Sequence, residues 1–439
     1  MEHLNKEVNA QPTKEFFINM LVKDIPLMGA IQDLIDNCVD GAIKIRSNNN
    51  YEGLIIQIDF DNEKFIIDDN CGGFSTHIAR NYAFRFGRPE DAPDLPHSVG
   101  RFGVGMKRAL FKIGNYFTLT SRTTESYFKL NFDVELWKKK IDWTLKLDEI
   151  EEEQQSGPYG TRIEVSTLNE SVAEQFVDEK FRNTLVREVR VSHEKVIEKG
   201  LAIIINEIKL AYVPTELFVS DDIKPAFYEE EINGVMMRIY AGISKTGYPK
   251  EAGWYIYCNG RLLIEANKTE LTGWGEGHPL YHNIYAMFRG YVFFEASDSY
   301  LLPWNTTKNG IDHDSKVYRY SRQKMVNMMK PVTDFLKKIK DNPYGEEDND
   351  NSEYETEMNY TEVLNNLPTQ TISAMNTSVL KPQFQAPAIK IVRRPNTQRI
   401  QYNKPIEEIA MAKAALGASS LKEIGEKTFD YFYRLECKK

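Results

Sequence analysis

The stretch Ile31–Ala42, IQDLIDNCVDGA, decides the reading of this chain. At helical period, Leu27, Ile31, Leu34, Ile35, Cys38 and Ala42 form one apolar stripe. Asp33, Asn37 and Asp40 recur at i, i+4 and i+7 and line the opposite side of the same helix. The amide oxygen of Asn37 can hold a hard cation, and the carboxylate one turn earlier can orient a water beside it. Taken alone, the stretch reads as the solvated face of an ordinary amphipathic helix.

Two later stretches shift that balance. In Phe65–Phe74, FIIDDNCGGF, a buried strand (Phe65, Ile66, Ile67) breaks into Asp-Asn-Cys-Gly-Gly. Glycines straight after a strand let the backbone approach a flat ligand, and a carboxylate there can accept from an exocyclic amine. A polar turn at a strand end is the ordinary alternative. In Gly100–Lys107, GRFGVGMK, three glycines lead into an apolar helix, whose free N–H groups can receive phosphates. This spacing is not that of a P-loop, which needs GxxxxGK[ST].

The three stretches stand in order within about eighty residues, followed by Gly160-Thr161 in GTRIEVSTL. Together they resemble the GHKL ATPase superfamily of gyrase, the large heat-shock chaperone, histidine kinases and MutL. The resemblance covers roughly residues 10–170 and continues more loosely into a second domain. The layout is similar to MutL- and MORC-like two-domain ATPases. It implies an α+β chain: a Bergerat-type α/β sandwich (a mixed sheet with helices on one face), a second α/β transducer domain and a helical C-terminal tail.

The family's first motif is E-L-x-x-N-x-x-D-A, and this chain reads Asp33-Leu34-Ile35-Asp36-Asn37-Cys38-Val39-Asp40-Gly41. The resemblance implies that Asn37 ligates Mg²⁺ and that Asp33 stands where a glutamate activates the attacking water. Aspartate is one methylene shorter, which bears on the rate. Gly41 replaces the usual alanine. For D-x-G-x-G the alignment is Asp69-Asn70-Cys71-Gly72-Gly73, with Cys71 at a glycine place and Phe74 at the usual methionine place; Asp68 to Gly72 also fits the spacing. Asp69 would take the adenine amino group, with Gly73 beside it. Gly100, Gly103 and Gly105 match the G-x-x-G-x-G hinge, with Val104, Met106 and Lys107 adjoining the phosphates. Thr161 matches the threonine of the fourth motif. Cationic Lys107 or Arg108, the helix N-terminus and Mg²⁺ would offset the repulsion between a triphosphate and the two aspartates. Phosphoryl transfer then needs a placed water and charge stabilisation.

The length of 439 residues suggests two to three domains, and 41% apolar residues suffice for sizeable cores. A net charge of −9 argues against nucleic-acid binding by bulk field. Cys38, Cys71, Cys258 and Cys437 form no CxxC pair, which suggests a reducing, cytoplasmic setting. The N-terminus lacks a signal-peptide core, and no apolar run approaches a membrane span.

In chain order, residues 1–13 read as an arm and 14–172 as the ATP-binding domain. Lys14–Val22 reads as a helix with Phe16, Phe17, Met20 and Leu21 inward, and Asp24 and Pro26 as the start of the motif helix. Gly53–Phe60 and Lys64–Asp69 read as a hairpin; Tyr116–Thr123, Tyr127–Val134, Ile141–Leu147 and Thr161–Thr167 read as strands. Residues 173–340 read as the transducer domain, opened by one long helix, Glu174–Lys199, closed by Gly200. Its expected strands are Leu201–Ile208, Gly234–Ile243, the Gly253–Glu265 hairpin with Asn259-Gly260 at its turn, and Gly290–Ala296. Leu302–Asp312, LPWNTTKNGID, resembles the loop that delivers a lysine to the γ-phosphate in MutL, MORC and type II topoisomerase relatives. Lys308 is the candidate; on spacing alone it reads as an exposed loop lysine. Tyr318–Lys340 is the exit helix.

Residues 341–404 read as an acidic and then a basic linker. Gly345–Glu357 carries seven acids and no base. Thr369–Pro405 carries no acid and six bases, which suits either a solvated linker or a tether for DNA or an acidic partner. Residues 405–439, with Phe429, Tyr431, Phe432 and Leu435, suit a helical hairpin for self- or partner-association. His278 and His282 have i, i+4 spacing, but Gly277 and Pro279 flank the first, and no zinc site is read there.

The expected function is Mg²⁺-dependent ATP binding and hydrolysis that closes a homodimer, as a clamp or switch on DNA or partner proteins. The alternative is a nucleotide-gated scaffold, chaperone-like or of a defence system, with little turnover, a reading that Asp33 in place of glutamate supports. A protein kinase using the same pocket is a weaker third option.

Overall fold

The computed structural model describes residues 13–23, 25–85, 96–99, 105–305, 308, 310–341, 355–356, 364, 367–387, 393–394, 400 and 402–437. Contacts divide the chain into two units, Met1–Pro343 with Asn359–Ile389, and Tyr344–Met358 with Lys390–Lys439.

Among the described residues, the first unit holds two large sheets and a two-stranded one. Strands β1 (Ile55–Phe60), β2 (Phe65–Asp69), β3 (Gly114–Arg122), β4 (Tyr127–Asp133), β5 (Glu149–Glu151), β6 (Gly160–Leu168), β7 (Ala202–Ile205) and β8 (Ile208–Lys209) form an eight-stranded sheet in the order β5-β4-β3-β6-β2-β1-β7-β8. Every neighbour is antiparallel except β1 and β7. Alternation puts Ile56, Ile58 and Phe60 of β1 into the core, which the helices Leu27–Ile45 and Gly105–Ile113 share. All six residues of the apolar stripe in Leu27–Ile45 are buried. This is the α/β sandwich that the motifs imply.

The second sheet contains β10 (Ala226–Ile232), β11 (Val235–Ile243), β12 (Gly253–Cys258), β13 (Arg261–Asn267) and β14 (Phe288–Glu295), in the order β10-β11-β14-β12-β13; β9 (Glu216–Phe218) lies outside it. The turn between β12 and β13 has Asn259 at φ 46° and Gly260 at φ 80°, the two left-handed positions of a two-residue hairpin. The helix Lys316–Asp341 packs on β11 and β14, burying Met325, Met329, Val332 and Leu336.

Several expectations are corrected. The first helix, Lys14–Lys23, turns Phe16 and Met20 outward and buries Ile18. Its rotation follows from Lys14, whose buried ammonium donates to the carbonyls of Trp137 (2.9 Å), Lys140 (2.8 Å) and Asp142. Asp24 and the side chain of Leu21 lie outside the described residues, and Pro26 occupies the N-cap of the motif helix rather than its first turn. Ile141–Leu147 is not a strand: Trp143 turns to meet Trp137 and Phe17, and pairing resumes only at Glu149. Glu174–Lys199 is not one helix but the end of Glu170–Val177, then Glu179–Ser192 and Glu194–Glu198. Asp178 interrupts it by leaving helical dihedrals to accept from the Lys180 N–H. The strand expected at 201–208 joins the first sheet as β7, parallel to β1, and not the second domain.

Residues 367–387 do not form a free linker. Thr369–Thr371 pairs antiparallel with β9, and Ile372, Met375 and Leu380 are buried against Tyr240, Tyr257 and Tyr291 on the second sheet's other face. Most of the acidic run, with Lys390 and Arg399, lies outside the described residues. In the second unit, Glu355–Thr356 pairs with Arg393–Arg394. Its helices Ile406–Leu416 and Leu421–Phe432 bury none of their own residues.

Candidate functional site

The motif helix, the end of β2, the start of β6 and Met106 surround one cavity of about 180 Å³. Asn37, Asp69, Gly73, Met106 and Thr161 all line it, with Cys38, Asp40, Gly41 and Phe74. Asn37 is exposed, whereas Asp33 and Asp40 on the same helix are buried, so this polar face is not a solvated one.

The two aspartates closing β2 point apart, as strand alternation requires. Asp68 pairs with Arg162 at 2.9 Å outside the cavity, and Asp69 faces inward. Asp69 Oδ1 accepts from the Cys71 N–H at 2.7 Å. Burial raises its carboxyl to about 6, against the lowering effect of that N–H. Gly73 has φ 61°, and a Cβ there would stand 2.6 Å from the Arg122 carbonyl and 2.7 Å from that of Gly160. A Cβ at Gly160 would lie 1.7 Å from the Asp69 carbonyl. Ser121, which motif spacing does not reveal, joins the parts: its Oγ accepts from the Phe74 N–H at 2.9 Å and lies 3.3 Å from Thr161 Oγ1.

Gly41 and Cys71, the two departures from the family pattern, face each other. A Cβ at position 41 would sit 2.6 Å from the Cys71 carbonyl oxygen and 3.3 Å from Cys71 Cβ. The glycine makes room for the cysteine strand end.

The described cavity lining does not include Asp33, Lys107 or Lys308. Asp33 Oδ2 accepts from Arg108 Nε at 2.8 Å and lies 2.7 Å from its Nη2 in the ion pair, and a Cβ on Gly105 would be 3.4 Å away. Lys107 is buried and donates to the Ala83 carbonyl at 2.7 Å; burial lowers its ammonium to about 7. Gly100, Gly103 and Val104 lie outside the described residues.

Lys308 is not an exposed loop lysine. It is 5% exposed, adopts φ 52°, and donates to Asp36 Oδ2 at 2.9 Å, with Asp33 Oδ1 at 3.9 Å. Asp36 also pairs with Arg261 of β13 and with His193 Nε2 at 3.1 Å. Burial lowers Lys308 to about 8, helped by the charge of Arg261, and lowers Arg261 to about 10. Burial likewise holds His193 down to about 4. The sequence reading missed Asp36, Arg261 and His193; three residues from Asp33, Asp36 falls on the polar side of the stripe, the one signal available.

A wider cavity of about 780 Å³, in the second domain beside Trp274, Tyr318 and Arg322, contains none of the motif residues.

Residues 25–162 match the family model of histidine kinase-, DNA gyrase B- and HSP90-like ATPases. This segment is a GHKL-type ATPase domain. No curated protein matches the chain.

Proposed function

We propose that this chain, with its GHKL-type ATPase domain at residues 25–162, binds Mg²⁺-ATP in the Asn37–Asp69 cavity and hydrolyses it. The supporting observation is convergence: Asn37, Asp69, Gly73, Met106 and Thr161 come from separate segments to one cavity. The donor set fits the ligand. Asn37 offers a neutral amide oxygen suited to a hard cation, while phosphate oxygens and water complete such a shell. Ionised Asp69 accepts from an exocyclic amine, and Thr161 with Ser121 supports that edge. Magnesium, when bound, supplies charge neutralisation on the phosphates.

In this reading Asp33 holds and deprotonates the attacking water, and Arg108 holds its carboxylate in place until the phosphates arrive. Lys308 then exchanges Asp36 for the γ-phosphate, reached through the loop expected from the sequence. The glycine run Gly100–Gly105 closes over the phosphates beside Lys107. Two copies close on ATP and reopen on hydrolysis, acting on DNA or a partner protein through the basic residues 381–404 and the C-terminal helices. The apolar exposure of Phe429, Tyr431 and Phe432 supports association there. The buried free thiols of Cys38, Cys71 and Cys258 support a cytoplasmic setting.

A second reading, a nucleotide-gated scaffold with little turnover, is favoured by the Asp33–Arg108 ion pair: it occupies the oxygen a water would need. Titration with Mg²⁺-ATP alongside a phosphate-release assay separates the readings. Binding with turnover supports hydrolysis, binding without turnover supports the scaffold, and absence of binding removes both.

A further inference from the structure

The Asn-Gly turn at 259–260 enters the sequence reading only as hairpin punctuation, yet the structure gives Asn259 a second attachment. We infer that His97–Val99 is a tie between the nucleotide site and the second sheet, and that Asn259 and Val99 are its positioning residues. The inference rests on the proposed nucleotide site and adds the route by which the second domain reads it.

Three residues make the link. Val99 N–H donates to Asp40 Oδ1 at 2.6 Å, and Asp40 lines the Asn37–Asp69 cavity. The Val99 side chain leaves the first domain altogether: it is 2% exposed and belongs to the core of the second sheet, with Phe294 and Ala296. Backbone and amide bonds reinforce that seat. His97 N–H donates to the Ser297 carbonyl at 3.2 Å, and Asn259 Nδ2 reaches the Ser98 carbonyl at 3.4 Å. Asn259 is itself held, with Oδ1 accepting from Ala296 N–H at 3.0 Å and Nδ2 donating to the Ala296 carbonyl at 3.1 Å.

The mechanical consequence follows from packing. An apolar side chain locked in a dense core moves with that core and not independently of it. Asp40 sits on the motif helix one turn beyond Asn37, so a ligand that shifts this helix pulls on the Val99 amide. The pull is delivered to the end of β14 and the β12–β13 turn. This is a two-ended element that both sites contact, the physical requirement for coupling between them.

Hydrogen exchange with the full chain tests this, using Mg²⁺ with a non-hydrolysable ATP analogue. In the unmodified protein the analogue should slow amides at Asp69–Gly73, and also those at Tyr257–Leu262 by about tenfold, the middle of ordinary site-to-site coupling. Val99→Ala and Asn259→Gly should keep the slowing at Asp69–Gly73 and lose it at Tyr257–Leu262. Glycine suits the positive φ at 259, so this variant keeps the turn while removing the amide. Val99→Ile, which retains an apolar plug, should keep both responses. A hairpin response that persists in Val99→Ala and Asn259→Gly, or is absent from the unmodified protein despite slowing at Asp69–Gly73, overturns the tie alone. Absence of slowing at Asp69–Gly73 in the unmodified protein overturns the nucleotide site and the tie with it.

Discussion

Arg108 meets one carboxylate oxygen of Asp33 with a hydrogen bond from Nε at 2.8 Å and an ion-pair contact from Nη2 at 2.7 Å, with the aspartate 3% exposed. Removing one member of such a buried pair strands the other charge. Arg108→Gln is therefore expected to lower stability by about 3–5 kcal/mol, whereas Asp33→Asn with Arg108→Gln should cost less than the sum of those two single changes. Denaturant unfolding of the three variants checks this; additive losses would show that the pair contributes no coupling.

The proposed division of labour separates binding from turnover. Asp33→Asn is expected to keep Mg²⁺-ATP affinity and to abolish phosphate release. Asn37→Ala, at an exposed position, is expected to fold normally and lose Mg²⁺-dependent nucleotide binding. Calorimetry and a phosphate assay report the two quantities. Turnover retained in the first variant would remove Asp33 from the base role.

Asp69 titrates in a range where its effect is measurable. Burial holds its folded carboxyl at about 6, above the ordinary aspartate value of 3.8. A raised carboxyl binds a proton more readily when folded, so its contribution is full below about 4 and is lost as pH rises through about 6. Two units correspond to about 3 kcal/mol as an upper order of magnitude. Asp69→Asn should therefore gain stability relative to the unmodified protein between pH 4 and 7. Nucleotide affinity should move the other way, weakening as pH falls through about 6, because only the ionised form is a pure acceptor. Stability and binding profiles that both stay flat would contradict the assignment.

Gly41 and Cys71 form a matched pair. Gly41→Ala is expected to destabilise by about 1–3 kcal/mol, because the added methyl meets the Cys71 carbonyl at 2.6 Å. Cys71→Gly in the same chain should recover part of that loss by freeing the backbone to shift. Thermal unfolding of the single and double variants measures the recovery.

The parts of the site legible in the sequence were those that depend on spacing. Asn37, Asp69, Gly73 and Thr161 hold fixed offsets from strand ends and helix turns, and the structure brings them to one cavity. Burial of charge was not legible. Asp33, Asp36 and Asp40 look like a solvated face because periodicity separates apolar from polar and does not distinguish water from Arg108, Arg261 or Val99 N–H as the polar side's partner. Local pattern also misled where a tertiary partner overrode it. Trp143 left a strand-like run to pack on Trp137, Asp178 broke a helical run by capping the next helix, and a base-rich stretch became part of the second domain because Ile372, Met375 and Leu380 had a tyrosine-lined face to cover.

The central claim is that Asn37 and Asp69 serve one Mg²⁺-nucleotide. Isothermal titration of Mg²⁺-ATP into the full chain and into Asn37→Ala and Asp69→Asn tests it most directly. The account predicts one site per chain in the unmodified protein, and a large loss of affinity in each variant with folding intact. Unchanged affinity in either variant, or no binding to the unmodified chain, would contradict it.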